Sequence, residues 1–385
     1  MARLRIYKAR VVTPEGILPG GGVECVDGRI ARVVASCPPG DLDLESCYLL
    51  PGLVDVHTHP SDEDGSSPDR LAALCDDLRG QGVAGFLFAT GSIAVEVLPD
   101  WLRQLARSLD ALGPARGCLG IHLEGPYAAP AGRGGFHSGA IATPQDLSVE
   151  QLLNACGSWP RYVNIAPELP GALEAIRTCR QRGLAVSIGH TRASRDQLLA
   201  AVQAGATAVC HTFNATEIQR FKEPGVLDVT LDLLGLASES LVCELICDGI
   251  HVDPLLVKLL YRAKGAAGVA LITDSILGGR HAQEGQRIKA GLSSYCVVNG
   301  AGRNPDGGLC GSTLTLAHAV AAFCEFTGCS LQEAVRAASW TPARLIHQDL
   351  DYGSIQPGRR AVFCVLDDRL RVREDLCRLV NQEVA

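Results

Sequence analysis

The sequence predicts an α/β protein: a TIM-like (β/α)8 barrel with a small β-sandwich domain built from both termini. The middle of the 385-residue chain alternates short apolar segments with longer amphipathic, helix-like ones, a pattern typical of parallel sheets. Eight such apolar segments occur, in a stretch near the size of a (β/α)8 barrel, about 250 residues. Both ends of the chain contain short β segments separated by glycine and proline turns.

The ends of the chain are expected to share one small domain. The first 48 residues contain the β segments RIYKARVV, GGVECV and RIARVVAS, and the last 38 contain AVFCVLDD and LRVRE after a glycine-rich turn. We therefore expect residues 1–48 and 348–385 to form a composite β domain. Residues 49–347 would then form the barrel.

The predicted barrel strands are eight apolar segments, most of which end in a polar residue. They cover residues 53–57, 85–90, 117–124, 162–168, 184–190, 206–211, 241–249 and 268–274. The alternative is a doubly wound sheet, which usually carries a glycine-rich phosphate turn after its first strand. The sequence has no such turn after residue 57, which favours the barrel.

Composition excludes several classes of protein. Hydrophobic residues make up 47% and charged residues 20%, which is incompatible with a disordered chain. The net charge of −7 and the scattered basic residues give no support to nucleic-acid binding. No apolar run approaches the about 18 residues of a membrane span, and the first residues lack the long apolar stretch of a secretory signal. The 16 cysteines form no CxxC pair. We expect a cytoplasmic protein.

Metal-capable residues occur where the predicted strands end. They are His57, His59, Glu124, His190, His211, His251 and Asp274. In a barrel these positions converge on the C-terminal face, where active sites lie. The sequence therefore predicts one catalytic site built from several strands.

The histidines and carboxylates suit a catalytic metal centre. His57 and His59 have strand spacing, so both imidazoles project to the same side. Glu124, His190 and His211 form a set of two imidazoles and one carboxylate that leaves a coordination position open for water. Each residue alone has a simpler interpretation, a buried hydrogen-bonded histidine or a paired strand-end carboxylate. Their common placement favours metal binding.

Two further residues are open to a structural interpretation. Asp274 follows an apolar strand, where it could move protons for a bound water, or it could cap the next helix. His122 lies on the same strand face as Glu124, and we interpret it as structural.

The motifs resemble the N-acetylglucosamine-6-phosphate deacetylases of the amidohydrolase superfamily over nearly the whole chain. The matching segments are PGLVDVHTH, HLEGPY, NIAPE, GHTRA, HTFNAT, FKEPG, DGIHVDP, ITD and GLCGSTLT. The resemblance implies a metal-dependent barrel that hydrolyses the N-acetyl amide of a phosphorylated amino sugar. It also implies a homodimer.

The resemblance assigns roles to individual residues. Glu124, His190 and His211 would hold the principal metal. His57, His59 and Asp274 would complete a second position bridged by Glu124. Asp274 would also transfer the proton, and His137 in the loop GRGGFHSG would polarise the substrate carbonyl. Those assigned to substrate binding are Asn214, Ala215, Lys222, His251 and again His137.

Several departures from the family pattern concern the substrate. Lys222 stands where an arginine from a neighbouring subunit is usual, and lysine lacks the bidentate fork. The segments Pro60–Asp64 and Ser275–Gly279 also differ, and the acidic residues 62–64 would repel an anion if they faced the site. These departures leave the predicted metal ligands unchanged. Metal-dependent amide hydrolysis is therefore better supported than the identity of the substrate.

The leading hypothesis is therefore hydrolysis of N-acetylglucosamine 6-phosphate to glucosamine 6-phosphate and acetate. One alternative is a related N-acyl amino sugar, a galactosamine isomer or an unphosphorylated sugar. The other is a non-catalytic barrel scaffold. One or two divalent ions are expected, zinc foremost, with Fe, Co, Ni or Mn as alternatives because histidine and carboxylate ligands suit all of them.

Overall fold

The computed structural model describes residues 3–36, 40–61, 63–113, 116–217, 219–276 and 282–383. Its strands are, in chain order, β1 (Arg3–Val12), β2 (Ile17–Val26), β3 (Arg29–Val34), β4 (Leu42–Asp43), β5 (Tyr48–Pro51), β6 (Leu53–Thr58), β7 (Val83–Ala89), β8 (Cys118–Leu123), β9 (Pro160–Asn164), β10 (Ala185–Ile188), β11 (Ala208–Val209), β12 (Phe221–Glu223), β13 (Val226–Leu227), β14 (Val242–Ile246), β15 (Val269–Ile272), β16 (Arg287–Ala290), β17 (Ser293–Val298), β18 (Ala301–Arg303), β19 (Leu309–Ser312) and β20 (Phe363–Leu366).

The helices lie mainly between the barrel strands. They are α1 (Pro68–Gly80), α2 (Leu98–Leu112), α3 (Val149–Ala155), α4 (Ala172–Gln181), α5 (Arg195–Ala204), α6 (Leu231–Ala237), α7 (Pro254–Lys264), α8 (Leu316–Thr327), α9 (Leu331–Val335), α10 (Thr341–Leu345) and α11 (Glu374–Glu383). A π-helical turn, Arg336–Trp340, joins α9 to α10. No helix in the described part of the chain is long and apolar enough to cross a membrane.

Eight parallel strands form the barrel, in the order β6 to β11, then β14 and β15. Each overlaps one of the eight predicted segments, so the predicted fold class is confirmed. Backbone hydrogen bonds close the ring just beyond the strands, from Asp274 N to His57 O (2.8 Å) and from His59 N to Ser275 O (2.9 Å). The closure therefore brings two of the predicted site segments side by side.

A buried carboxylate supports this closure. Asp55 is 3% exposed and accepts hydrogen bonds from Thr273 Oγ1 (2.6 Å), from Thr273 N (3.3 Å) and from His57 N (3.2 Å). Burial is the main cause that raises the pKa of Asp55, to about 6. The residue ties the first barrel strand to the last, directly beneath the site.

Local sequence determines where the helices begin. Ser148, Ser194 and Ser330 each accept a hydrogen bond from a backbone amide of the first turn, and the third helical residue returns the bond to the serine backbone. These capping boxes satisfy amides that would otherwise lack a partner. Helix α1 begins similarly at Ser67, with proline in its first turn.

A six-stranded sheet is built from both ends of the chain. Its main order is β20–β5–β1–β2–β3, with β4 paired to β1. A separate hydrophobic cluster lies against it, including Ile6, Val23, Phe363 and, from α11, Cys377. The predicted β unit from both termini is thus present, but it is one sheet with a helix against it and not a sandwich of two sheets. The segment LRVRE contributes only an isolated bridge at Val372 rather than a further strand.

A four-stranded antiparallel sheet, β16–β19, follows the last barrel strand. Sequence analysis did not predict it. It pairs with the barrel through Ser275 and Ser312, whose backbones form a parallel bridge. Gly311 has φ of +73°, and a Cβ there would lie 2.8 Å from the Asp274 carbonyl oxygen. Glycine therefore allows this insertion to approach the site.

Candidate metal centre and active site

Glu124 lies at the centre of the predicted site, immediately after β8. Its carboxylate oxygens face four imidazole nitrogens. Oε1 lies 3.0 Å from His190 Nε2, 3.4 Å from His211 Nε2 and 3.3 Å from His57 Nε2. Oε2 lies 3.3 Å from His59 Nε2. The structure therefore brings together five of the six predicted metal ligands around one carboxylate.

The sixth predicted ligand, Asp274, completes the group. Its Oδ1 lies 3.1 Å from His59 Nε2 and 3.6 Å from His57 Nε2. The helix-cap interpretation does not hold, because the chain after Asp274 pairs with Ser312 instead of starting a helix. The aspartate therefore faces the same space as the two histidines of the first strand.

The donor set fits a divalent cation. His190 Nε2 and His211 Nε2 lie only 3.0 Å apart, with both facing the same carboxylate oxygen. His57 Nε2 is buried and makes no hydrogen bond within the described residues. Lone pairs from several imidazoles directed at a carboxylate are the arrangement that a bound metal ion stabilises. The groups His57–His59–Glu124 and Glu124–Cys210–His211 each have ligand atoms close enough to share an ion.

Charge supports the same conclusion. Burial alone would raise the pKa of Glu124, but His57 and His59 more than offset it and hold that pKa well below its usual range. Burial disfavours the charged form of His57. The surrounding acidic groups, first Glu124 and then the Cys210 thiol and the other carboxylates, nevertheless raise the pKa of His57 well above its ordinary value. The opposite charges of Glu124 and His57 therefore stabilise each other within the buried site.

The backbone turns sharply where the strands meet the site. His190, His211 and Asp274 have φ of 51°, 25° and 46°. Such left-handed backbone is uncommon in residues with a side chain and costs about 1–2 kcal/mol. It occurs here at three candidate functional residues, each just after a barrel strand. Strain of this kind concentrates at functional sites.

Neighbouring loops orient two of the imidazoles. His190 Nδ1 lies 3.3 Å from the carbonyl oxygen of Gly132, and His211 Nδ1 lies 3.1 Å from that of Asn214. A Cβ at Gly132 would lie 2.6 Å from the backbone of His190, so only glycine permits this approach. Both rings can therefore donate Nδ1–H and present Nε2 to the site.

Glu244 is a site-forming residue that sequence analysis missed. It lies on β14 and is fully buried. Its Oε2 lies 3.0 Å from His57 Nδ1 and accepts a hydrogen bond from His211 N at 3.1 Å. Burial opposes its ionisation, but His57 overcomes this and holds the pKa at about 2. A carboxylate inside the apolar segment LVCELICDG was the available signal, because a buried charge requires a partner.

His122 has the structural placement that we predicted. It is fully buried, and it packs edge-to-face on His57 with ring centroids 4.6 Å apart. On its other side it stacks on Tyr162 at 4.4 Å, its register partner across β8 and β9. Burial is the main cause that lowers its pKa to about 3, so it is neutral. Its role here is to pack the His57 ring.

A cavity of about 290 Å³ opens above these ligands. Asn214, Ala215 and Phe136 line it beside the ligands, and the inserted sheet adds Tyr295, Leu309 and Cys310. The cavity is large enough for a small polar ligand and has apolar walls. The inserted sheet therefore forms part of the site.

Three predicted substrate residues lie outside this lining. His137 is exposed, and its Nδ1 accepts a hydrogen bond from Gly139 N at 3.1 Å. His251 is buried, with Nδ1 2.7 Å from Asp248 Oδ2, and its carbonyl accepts from Asn214 Nδ2. Lys222 is exposed on the hairpin β12–β13. Their roles remain predictions from the resemblance.

The segments that depart from the family pattern are only partly described. Asp62 and residues 277–279 lie outside the described residues. Glu63 pairs with Arg70, and Asp64 is buried and accepts hydrogen bonds from Ser61 N (2.9 Å) and Oγ (2.7 Å). Neither lines the cavity. The predicted repulsion of an anion therefore does not apply to these two residues.

Comparison with known proteins agrees with this geometry. Residues 117–384 match the model of the amidohydrolase family. An N-acetylgalactosamine-6-phosphate deacetylase of Escherichia coli O157:H7 is 31% identical over 95% of both chains. An N-acetylglucosamine-6-phosphate deacetylase of Bos taurus is 33% identical, over 86% of this chain and 82% of its own.

A solved structure extends the comparison to a bound sugar. It is a variant of the N-acetyl-D-glucosamine-6-phosphate deacetylase of Mycobacterium smegmatis in complex with N-acetyl-D-glucosamine-6-phosphate. It is 28% identical, covers 97% of both chains and superposes with a TM-score of 0.87. The likeness therefore includes both the barrel and the terminal β unit.

Proposed function

The chain belongs to the amidohydrolase family and is a metal-dependent hydrolase similar to the N-acetylglucosamine-6-phosphate deacetylases, and we propose that it removes the acetyl group from N-acetylglucosamine 6-phosphate. The products would be glucosamine 6-phosphate and acetate. The observation that carries this proposal is the convergence of four imidazole nitrogens on Glu124, with Asp274 Oδ1 3.1 Å from His59 Nε2, at the floor of a cavity.

The proposed metal ligands form two positions that share Glu124. The first consists of Glu124, His190 and His211. The second consists of His57, His59 and Asp274, also with Glu124, whose Oε1 faces His57 and whose Oε2 faces His59. A divalent ion at the first position would polarise the amide carbonyl and lower the pKa of a water molecule, worth several kcal/mol of barrier. We propose zinc, with Fe, Co, Ni and Mn as alternatives of the same ligand preference.

Asp274 is proposed to transfer the proton. Burial disfavours its charge, but His57 and His59 lower its pKa below the usual value. The carboxylate is therefore ionised at neutral pH, and can take a proton from the attacking water. It then returns that proton to the nitrogen of the departing amine, so the C–N bond breaks without releasing an amide anion.

The sugar phosphate is proposed to lie on the side of the cavity formed by Asn214 and Ala215. His251 supports this wall, because its carbonyl oxygen accepts a hydrogen bond from Asn214 Nδ2 at 3.2 Å. In a homodimer, Lys222 would place its positive charge near the phosphate of the substrate bound in the neighbouring subunit. Its exposed position on a hairpin is consistent with reaching outward. His137 is proposed to close over the acyl carbonyl from its loop.

A second candidate substrate has its own support. The Escherichia coli relative that matches over 95% of both chains is named for N-acetylgalactosamine 6-phosphate. The two sugars differ only at one hydroxyl, away from the reacting amide, so the metal centre would serve either. The enzyme assignment leaves the non-catalytic scaffold without support.

Two further parts of the proposal concern organisation and location. Residues 1–48 and 348–385 would fold as the small β domain, and residues 49–347 as the catalytic barrel. We propose a cytoplasmic location, because every cysteine in the described part of the chain is free. Free thiols persist in reducing compartments.

Acetate release tests the proposal. The zinc-loaded protein is assayed with N-acetylglucosamine 6-phosphate, N-acetylgalactosamine 6-phosphate and unphosphorylated N-acetylglucosamine. A preference for the first compound in kcat/KM supports the proposed substrate and the phosphate site. Preference for the galactosamine isomer would transfer the same chemistry to that substrate. Turnover of none of the three, with metal bound, would overturn the proposal.

A further inference from the structure

The three imidazoles around Glu124 Oε1 are oriented in two different ways. His190 and His211 each direct Nδ1 at a neutral backbone carbonyl, at 3.3 and 3.1 Å. His57 instead directs Nδ1 at the carboxylate of Glu244, at 3.0 Å. A carboxylate partner increases the basicity of an imidazole and fixes which nitrogen carries the proton. The two proposed metal positions therefore differ in their supporting contacts.

Glu244 contacts the His57 ring and the backbone of His211, and does not itself reach the cavity. It is fully buried inside the barrel and does not line the cavity. Its Oε2 accepts from both His57 Nδ1 and the backbone amide of His211. Burying a carboxylate costs several kcal/mol unless it is paired. Hydrophobic packing alone would favour an apolar side chain at this position.

The surroundings restrict the orientation of the His57 ring. His122 packs edge-to-face on it at 4.6 Å, and Tyr162 holds His122 from behind. Cys210 Sγ lies 3.9 Å from the same Nδ1, farther than Glu244 Oε2. As a result Nε2 points between Glu124 Oε1, at 3.3 Å, and Asp274 Oδ1, at 3.6 Å.

Building on the metal-dependent function above, we propose that Glu244 is the positioning residue of the second metal position. It holds His57 with Nδ1 protonated and Nε2 free, so that an ion can bind between His57, His59, Glu124 and Asp274. In the first position, backbone carbonyls orient both imidazoles, and Glu244 contacts only the backbone amide of His211. Glu244 thus determines whether the centre holds one ion or two.

Stepwise metal binding tests this proposal without using catalysis. Metal-free protein is titrated with Zn²⁺ in equilibrium dialysis, and bound zinc is counted by mass spectrometry for wild type, Glu244→Gln, Glu244→Ala and His57→Ala. Loss of an outer carboxylate typically lowers metal affinity about 10–100-fold. We expect that loss for the second zinc in both Glu244 variants, a smaller loss for the first zinc, and His57→Ala to lack the second zinc.

Asp232→Asn is the matched control. Asp232 is also buried, at 1% exposure, and accepts from Phe213 N and Thr216 Oγ1 without contacting a ligand imidazole. We expect it to bind two zinc ions with wild-type affinity. Thermal unfolding of the metal-free variants shows whether Glu244→Gln is folded, and the polar isostere is included because Glu244→Ala also opens a cavity.

Three results would overturn the proposal. They are wild-type affinity for the second zinc in Glu244→Gln, equal weakening of both zinc ions, and a single zinc in the wild type. Failure of the proposed deacetylase activity is a separate outcome. A wild type that binds two zinc ions in the predicted way but releases no acetate would refute the substrate and leave the role of Glu244 standing.

Discussion

Replacing Asp274 by asparagine tests its proton-transfer role, and it also replaces one proposed ligand of the second metal position while leaving the first position intact. The carboxylate oxygen lies 3.1 Å from His59 Nε2 and 3.6 Å from His57 Nε2, and His57 and His59 keep its pKa below the usual value against the effect of burial. Asparagine has the same shape and size, but it cannot accept a proton. The variant therefore loses general base and acid catalysis while the cavity keeps its form.

The expected loss follows from the size of that contribution. General acid–base catalysis provides about 10²–10⁴-fold, which corresponds to about 3–5 kcal/mol of activation free energy. We expect kcat for acetate release to fall by this factor with KM little changed, because the interaction is made in the transition state. The first metal position, which does not include Asp274, keeps its ion.

The assay combines acetate release with metal analysis of the same sample. Asp110→Asn serves as the control, since Asp110 accepts a hydrogen bond from Trp159 Nε1 at 2.8 Å, outside the site. That variant is expected to keep its rate. Near-wild-type kcat in Asp274→Asn, with metal bound, would refute the role given to Asp274.

Three other substitutions test separate parts of the molecule. Glu124→Gln removes the charged ligand shared by both metal positions. Because a direct ligand is lost, bound zinc measured by mass spectrometry should fall to less than about half of the wild-type content. Unchanged zinc content would contradict the proposed metal centre. Asp55→Ala leaves the buried donors of Thr273 without their acceptor, which costs about 1–3 kcal/mol for each donor. Urea unfolding should therefore show a free energy of unfolding lower by at least about 2 kcal/mol. An unchanged unfolding midpoint would contradict the role of Asp55 in joining the first and last barrel strands. Lys222→Ala should raise KM about tenfold, equivalent to about 1.4 kcal/mol, for the phosphorylated sugar only; an equal effect on unphosphorylated sugar would exclude a phosphate contact.

The barrel could be predicted because its strands are continuous apolar segments. Val83–Ala89 and Cys118–Leu123 are buried along their whole length, as expected for strands covered on both faces. The polar residues that follow such segments, Glu124 and His190 among them, meet at one end of the barrel because all its strands run parallel. Topology alone therefore brought the predicted ligands together.

The inserted sheet could not be predicted in the same way. Its strands β16 and β17 contain exposed and half-buried residues, and only Ile288 and Val297 are buried. Without a buried face there is no clear alternation in the sequence. The sheet joins the barrel through the bridge between Ser275 and Ser312, which are far apart in the chain.

Glu244 was missed for a different reason. One carboxylate inside an otherwise apolar strand gives no spacing motif, and its partner His57 is 187 residues away. The cost of burying an unpaired charge indicates that a partner exists, but not which one. For His137 and Lys222 the difficulty is the opposite one, because the resemblance assigns each a substrate role while the structure leaves both side chains exposed.

Metal dependence of acetate release by wild type and His190→Ala tests the proposed centre most directly. Both proteins are stripped of metal and titrated with Zn²⁺ while acetate and glucosamine 6-phosphate are measured together. We expect no turnover without metal, and equal amounts of the two products from zinc-loaded wild type. Zinc should fail to restore His190→Ala. Turnover by metal-free protein, or wild-type turnover by His190→Ala, would contradict catalysis at the Glu124–His190–His211 position.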